Sequence, residues 1–195
     1  MAARAEMDYT RGVESWPPID LPPGLADALG RGEIRSILVA RTEHVGDLLW
    51  TTPAFRALRT RFPGASITVL TTSYARGVLD GNPNVDAVVT LDRDRKRGRL
   101  RERRERAAIE VLRANPIDLA IVLDRRFAAN TALARAAGAR FILHPAVPFS
   151  TAEAHRRGLH VLDANAALLA PLGCPPPEKR LDFFVSDAAR AWARE

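Results

Sequence analysis

The hydrophobic pattern starts at Ser36. Ile37-Leu38-Val39-Ala40 is a short unbroken apolar run, as expected of a strand buried on both faces. A polar turn over residues 41–47 leads into a helical stretch reaching about Arg61, with Leu48, Leu49, Ala54, Phe55 and Leu58 as packing positions. Pro53 interrupts that stretch. Either Thr52 caps a helix with Pro53 at its first position, or a turn starting near Asp47 kinks there. Phe62-Pro63-Gly64 ends it. The alternation then repeats: strands over residues 66–71, 87–90, 119–123 and 140–143, and helices over residues 74–80, from the basic segment to about 114, and over 128–137. Residues 144–158 read as loop. A helix over 159–172 is stopped by Gly173 and three prolines at 175–177. Residues 182–185 read as a last strand, and Ser186 as the cap of a final helix containing Trp192.

This alternation predicts an α/β, Rossmann-like fold: a mostly parallel sheet with helices on both faces. Ligands of such sheets bind at the carboxyl ends of the strands, which singles out the loops 41–47, 71–74, 91–99 and 124–127. Residues 1–34 read as a partly irregular N-terminal extension, since Pro17, Pro18, Pro22 and Pro23 preclude a continuous helix. A short helix fits about residues 25–30, and the segment either packs across the domain or stays loose. Residues 35–186 form the expected domain. Residues 187–195 read as the start of a linker helix or interdomain segment, expected to stop mid-element because no C-cap follows.

Composition narrows the function. The chain has 195 residues, 47% hydrophobic and 27% charged, which excludes wholesale disorder. Its net charge of +6 is local. Residues 93–106, RDRKRGRLRERRER, hold nine basic and three acidic side chains; the other 20 basic and 20 acidic residues cancel. That excludes a protein basic all over and leaves one arginine-rich segment to explain. Cys174 is the one cysteine, so a disulfide framework and a multi-cysteine zinc site are excluded. The N-terminus shows no signal-peptide pattern, and no apolar run approaches the ~20 residues of a membrane span. A cytoplasmic protein is the default expectation.

The first βα turn carries the most chemistry. Arg41-Thr42-Glu43-His44-Val45-Gly46-Asp47 lacks the Gly-x-Gly-x-x-Gly fingerprint, which disfavours a standard dinucleotide site. Instead a carboxylate, Asp47, stands after the glycine near a helix start. There it serves either as a helix cap or as a base for an acceptor hydroxyl.

Ile37-Leu38-Val39-Ala40-Arg41, Val45-Gly46-Asp47-Leu48-Leu49 and Thr51-Thr52-Pro53-Ala54 together resemble the N-terminal signature of the ADP-heptose:lipopolysaccharide heptosyltransferases, glycosyltransferase family 9. The resemblance continues through Arg56-Ala57-Leu58-Arg59, Arg61-Phe62-Pro63, Gly81-Asn82-Pro83 with Val85-Asp86, residues 117–124, and Leu168-Leu169 with Leu172-Gly173, covering about residues 35–186. It implies the acceptor-side half of a two-domain GT-B enzyme. That enzyme would be inverting and metal-independent, with no cofactor beyond its substrate, a nucleotide-sugar donor such as ADP-heptose. The implied acceptor is an acidic glycolipid of the lipopolysaccharide core or another cell-surface glycan, with peripheral contact at the cytoplasmic face of the inner membrane. Asp47 maps to the catalytic base and Gly46 to the donor side. His44, Thr51, Thr52, Arg93, Arg97 and Arg125 are the expected acceptor contacts, with Thr51 and Thr52 also organising the loop. Glu43-His44 departs from the small polar residues usual before the glycine. The donor motifs of the second half have no counterpart, so residues 1–195 alone are expected to transfer nothing.

Competing readings stand beside these. The arginine-rich segment is either an anion-binding surface or a solvated helix start with local pairs such as Glu102–Arg106. It has no aromatic residue for stacking bases, and no nucleic-acid partner is expected. Asp92-Arg93-Asp94 spells a metal-binding Asp-x-Asp pattern but opens into arginines and is read as coincidence. Asp124, Arg125 and Arg126 either contact acceptor or form a charged loop with a helix cap. His44 either orients an anion or is an exposed loop residue. His144, His155 and His160 lack ligand-like spacing. Trp16, Trp50 and Trp192 are read mainly as packing residues, and Cys174 as structural. The alternative class is a non-catalytic transferase half that binds anions or glycans.

Overall fold

The computed structural model describes residues 19–92, 98–124, 127–145 and 160–194. Five strands, β1 (Ser36–Ala40), β2 (Ser66–Thr71), β3 (Ala87–Thr90), β4 (Leu119–Val122) and β5 (Phe141–Leu143), form one parallel sheet in the order β3-β2-β1-β4-β5. Helices α1 (Leu25–Gly30), α2 (Val45–Leu49), α3 (Thr52–Arg61), α4 (Arg99–Arg113), α5 (Phe127–Ala136), α6 (Val161–Leu169) and α7 (Asp187–Trp192) connect or flank these strands. The α/β, Rossmann-like expectation holds.

Strand periodicity splits the core in two. Ile37 and Val39 of β1 face one layer with Leu25 and Ala28 of α1, Phe55 and Leu58 of α3, and Ala164 and Leu168 of α6. Leu38 and Ala40 face the other, with Ala108 and Leu112 of α4 and Leu133 and Ala134 of α5. Each fully buried leucine or isoleucine contributes roughly 1.5–3 kcal/mol, so both layers are needed to hold the sheet. Residues 19–34, expected as part of an extension, pack on the first layer: Leu25 and Ala28 are fully buried, and Ile19 and Leu21 lean on the same cluster.

The order places a topological switch between β1 and β4. The chain leaving β1 turns to the face of α3, and the chain leaving β4 turns to the face of α5, so their loops part and leave a crevice.

Three local expectations change. The helical stretch begins earlier, at Val45 inside the expected turn, and breaks into two helices before Pro53: Thr51 occupies the cap position of α3, and Thr52 lies in its first turn with Pro53. Residues 74–80 supply one 3-10 turn, Arg76–Leu79. Residues 182–185 are not a strand. The Asp182 N–H donates to Thr52 Oγ1 at 2.8 Å and its carboxylate pairs with Arg56 at 2.6 Å, so the segment is tied to the outside of α3 instead of pairing with a strand. Ser186 does cap α7, accepting from the Ala189 N–H at 3.1 Å. Gly173, with φ of +75°, stops the helix region as expected; a Cβ there would lie 3.1 Å from Arg61 Nε.

Candidate functional site at the carboxyl edge of the sheet

The β1–β4 register builds the site. Ala40 pairs with Val122, so two residues further Thr42 faces Asp124. Asp124 is fully buried. It accepts from the Thr42 N–H at 2.8 Å, the Thr42 hydroxyl at 2.6 Å and the Asn130 amide of α5 at 2.9 Å. The readings of Asp124 as an acceptor contact or as part of a charged loop with a helix cap are therefore corrected. It is an interior brace that pins the loop after β1 across the switch, because a buried carboxylate is tolerable only with such donors.

From this anchored turn the chain enters α2. His44 is the residue before the helix, and its N–H donates to Asp47 Oδ2 at 3.2 Å. Asp47 Oδ1 lies 3.4 Å from Arg41 Nη2, and the Asp47 side chain is 17% exposed. The cap and base readings are thus compatible: one oxygen serves the helix start, and the group still reaches solvent at the crevice. Gly46 is exposed, and a Cβ on it would meet nothing within 4 Å. Among the described residues no packing contact requires a glycine there; its effect is open space beside Asp47.

Thr51 and Thr52 are fully buried. Their hydroxyls donate to the carbonyls of Asp47 and Leu49, each at 2.8 Å. Both organise the α2–α3 junction, and neither offers an exposed atom to an acceptor. His44 is exposed, and its Nδ1 lies 3.1 Å from the Tyr74 hydroxyl, which also accepts from the Val45 N–H at 3.1 Å. Arg93, Arg97 and Arg125 lie outside the described residues, as do Arg126, His155 and Trp16. On α4 Arg101 pairs with Glu105, at 3.2 Å. Asp92, just after β3, braces the neighbouring loop after β2, accepting from the Ser73 N–H at 2.9 Å. Among the described residues no three His, Cys, Asp or Glu side chains are grouped to hold a metal ion, and no helix is long and apolar enough to cross a membrane.

Two site residues escaped the sequence reading. Arg41 is 2% exposed at the inward-facing position following Ile37 and Val39, and pairs with both Glu43 and Asp47. The period of two carried that signal: an arginine occupies a core-facing register. Tyr74 is 61% exposed yet has its hydroxyl fixed over α2, a contact no local pattern announces.

Other residues of the resemblance are clamps. Arg59 pairs with Asp86 at 2.6 Å, and Asp86 also accepts from the Ile67 N–H at 2.7 Å. Burial alone would raise the Asp86 carboxyl, but the Ile67 N–H and the Arg59 guanidinium together hold it below its ordinary value. Asp118 accepts from the N–H groups of Arg35 and Ser36 at 2.8 and 3.0 Å, fixing the start of β1. Burial pushes the Cys174 thiol up to about 12, so it is inert at neutral pH. A groove of about 570 Å³, lined by Arg35, Thr68, Val111 and Asp118 among others, opens at the amino ends of the strands, the edge opposite Asp47.

No family model and no curated protein matches the sequence. Solved structures do match in fold. A family 9 glycosyl transferase from Veillonella parvula aligns at a TM-score of 0.66 and 21% identity, over 83% of this chain and 48% of that one. The Escherichia coli ADP-heptose lps heptosyltransferase II aligns at 0.56 and 18%, over 81% and 49%. The E. coli heptosyltransferase WaaC with ADP-2-deoxy-2-fluoro heptose aligns at 0.57 and 17%, over 75% and 51%. This chain spans about half the length of the structures it matches, and its fold is the α/β, Rossmann-like fold it shares with these glycosyltransferases.

Proposed function

We propose that this chain is the acceptor-side half of an inverting, metal-independent glycosyltransferase that moves a heptose-like sugar from an ADP-sugar to an acidic cell-surface glycolipid. The observation that carries the reading is Asp47: a partly exposed carboxylate on a short helix at the switch point of the sheet. Similarity in fold to a heptosyltransferase solved with an ADP-sugar analogue supports the donor class.

In this reading the acceptor hydroxyl gives its proton to Asp47 as its oxygen attacks the anomeric carbon. The bond from that carbon to the diphosphate oxygen breaks, ADP leaves, and configuration inverts. The open space at Gly46 admits the donor, and His44 borders the acceptor. Thr51 and Thr52 hold the α2–α3 junction on which Asp47 stands. Arg93, Arg97 and Arg125 supply cations for the acidic acceptor or the membrane surface, each adding about 1 kcal/mol near an anionic leaflet.

The test is Asp47→Ala in the full-length transferase. Transfer from ADP-heptose should fall at least ~10³-fold with the circular dichroism spectrum unchanged. Near-wild-type turnover would sink the assignment and leave a glycan-binding module.

A further inference from the structure

We propose that Arg41 is a positioning residue whose buried guanidinium has two alternate counter-ions, Glu43 and Asp47, so that Asp47 can accept a proton without stranding a cation in the interior. The proposal deepens the reading of Asp47 as the base and rests on it.

Arg41 is 2% exposed and continues the alternation of Ile37 and Val39, which face the core layer of α3. Charge at such depth is tolerated only when compensated. Its Nη1 lies 3.3 Å from Glu43 Oε2 and its Nη2 3.4 Å from Asp47 Oδ1. Both separations exceed the roughly 2.7–2.9 Å of a tight charge-assisted bond. Among the described residues, Arg41 Nε and Nη1 make no hydrogen bond. The cation is therefore suspended between two carboxylates instead of being locked onto one in a bidentate fork.

The carboxylates differ in access. The Glu43 side chain is 5% exposed and that of Asp47 17%. Glu43 is the standing counter-ion and Asp47 the exchangeable one. When the acceptor O–H breaks and its proton passes to an Asp47 oxygen, Asp47 becomes neutral and Arg41 stays compensated by Glu43. When that proton leaves to water, the second ion pair returns. This gives a physical reason for a glutamate where small polar residues were expected.

A double-mutant cycle on the 195-residue chain, read by thermal unfolding, tests the pairing. Asp47→Asn keeps an oxygen for the His44 N–H, and Glu43→Gln keeps its shape. Each alone should lower the midpoint by about 2 °C or less, because the other carboxylate remains. The double variant should lose at least three times the sum, and adding Arg41→Met should recover most of the loss, or restore folding where the double variant fails to fold. Additive losses, or no recovery with Arg41→Met, overturn the proposal. In the full-length transferase, Glu43→Gln should reduce kcat about tenfold with the donor KM unchanged, and Glu43→Asp should restore most of it. An unchanged kcat in Glu43→Gln also overturns it. An active Asp47→Ala enzyme defeats the base reading and leaves the unfolding cycle intact, so the two failures are distinguishable.

Discussion

Two helices in this chain begin with the same spelling, His-x-x-Asp, at 44–47 and 160–163. The backbone uses it identically: the His44 N–H donates to Asp47 at 3.2 Å, and the His160 N–H to Asp163 at 3.1 Å. Beyond the cap they diverge. The side chain of Asp163 is 9% exposed and pairs with Lys179 at 2.5 Å. The His160 ring accepts from the Leu162 N–H and meets the edge of Trp50 at 5.4 Å. Asp47 is more exposed, its cation stands off at 3.4 Å, and its histidine turns to the exposed Tyr74. A capping carboxylate is structural where a tight cation and a covered surface complete it. It is available for chemistry where the cation is loose and the sheet edge open.

The sharpest way to break this contrast is to remove each carboxylate in turn. Asp47→Ala should abolish transfer, whereas Asp163→Asn should leave kcat within about threefold in the same assay. Asp163→Asn should instead lower stability by about 2 kcal/mol in urea denaturation, through loss of the Lys179 pair. If Asp163→Asn silences transfer in a folded protein, the contrast fails.

The brace beneath the Asp47 loop comes next. Asp124→Ala leaves the Thr42 N–H and the Asn130 amide without their buried acceptor and should destabilise the chain by about 3 kcal/mol. A change under 1 kcal/mol in the same titration would show that the brace is dispensable.

The histidines sharpen the comparison with smaller effects. His160→Ala removes a ring that caps Leu162 and packs on Trp50, and should cost about 1 kcal/mol. His44→Ala should change stability by less than about 0.5 kcal/mol, since its ring is exposed and bonds the likewise exposed Tyr74 hydroxyl.

A purely structural carboxylate should also announce itself in acid. Folding favours ionised Asp86, so its contribution is complete above the ordinary value of 3.8 and is lost as the pH falls through the lower folded value. Asp86→Asn should flatten the acid limb of a plot of urea midpoint against pH; an unchanged limb would contradict the Arg59–Asp86 clamp.

Much of this was legible in the chain. The strands stood out because buried parallel strands are continuous apolar runs, and Asp47 stood out because a carboxylate follows a glycine at a sheet edge. Residues 182–185 misled for the same reason: Asp-Phe-Phe-Val is rich in strand formers, yet the N–H of Asp182 is taken by a threonine hydroxyl 130 positions earlier. Arg41 was hidden because its neighbours in space are set by the register. Tyr74 was hidden because its hydroxyl finds a partner 29 residues away.

The bond from Asp182 to Thr52 has a mechanical consequence. Thr52 also grips the Leu49 carbonyl, and Leu49 lies two residues from Asp47. With Arg56 clasping the Glu178 and Arg180 carbonyls, the C-terminal segment is riveted to the helix pair that bears the candidate base. A load applied through α7 would be borne first by this rivet and only afterwards by the sheet. In a force-extension measurement, tension on that end should loosen the α2–α3 junction before any strand yields, making the edge that carries the candidate base the compliant element of a stiff body.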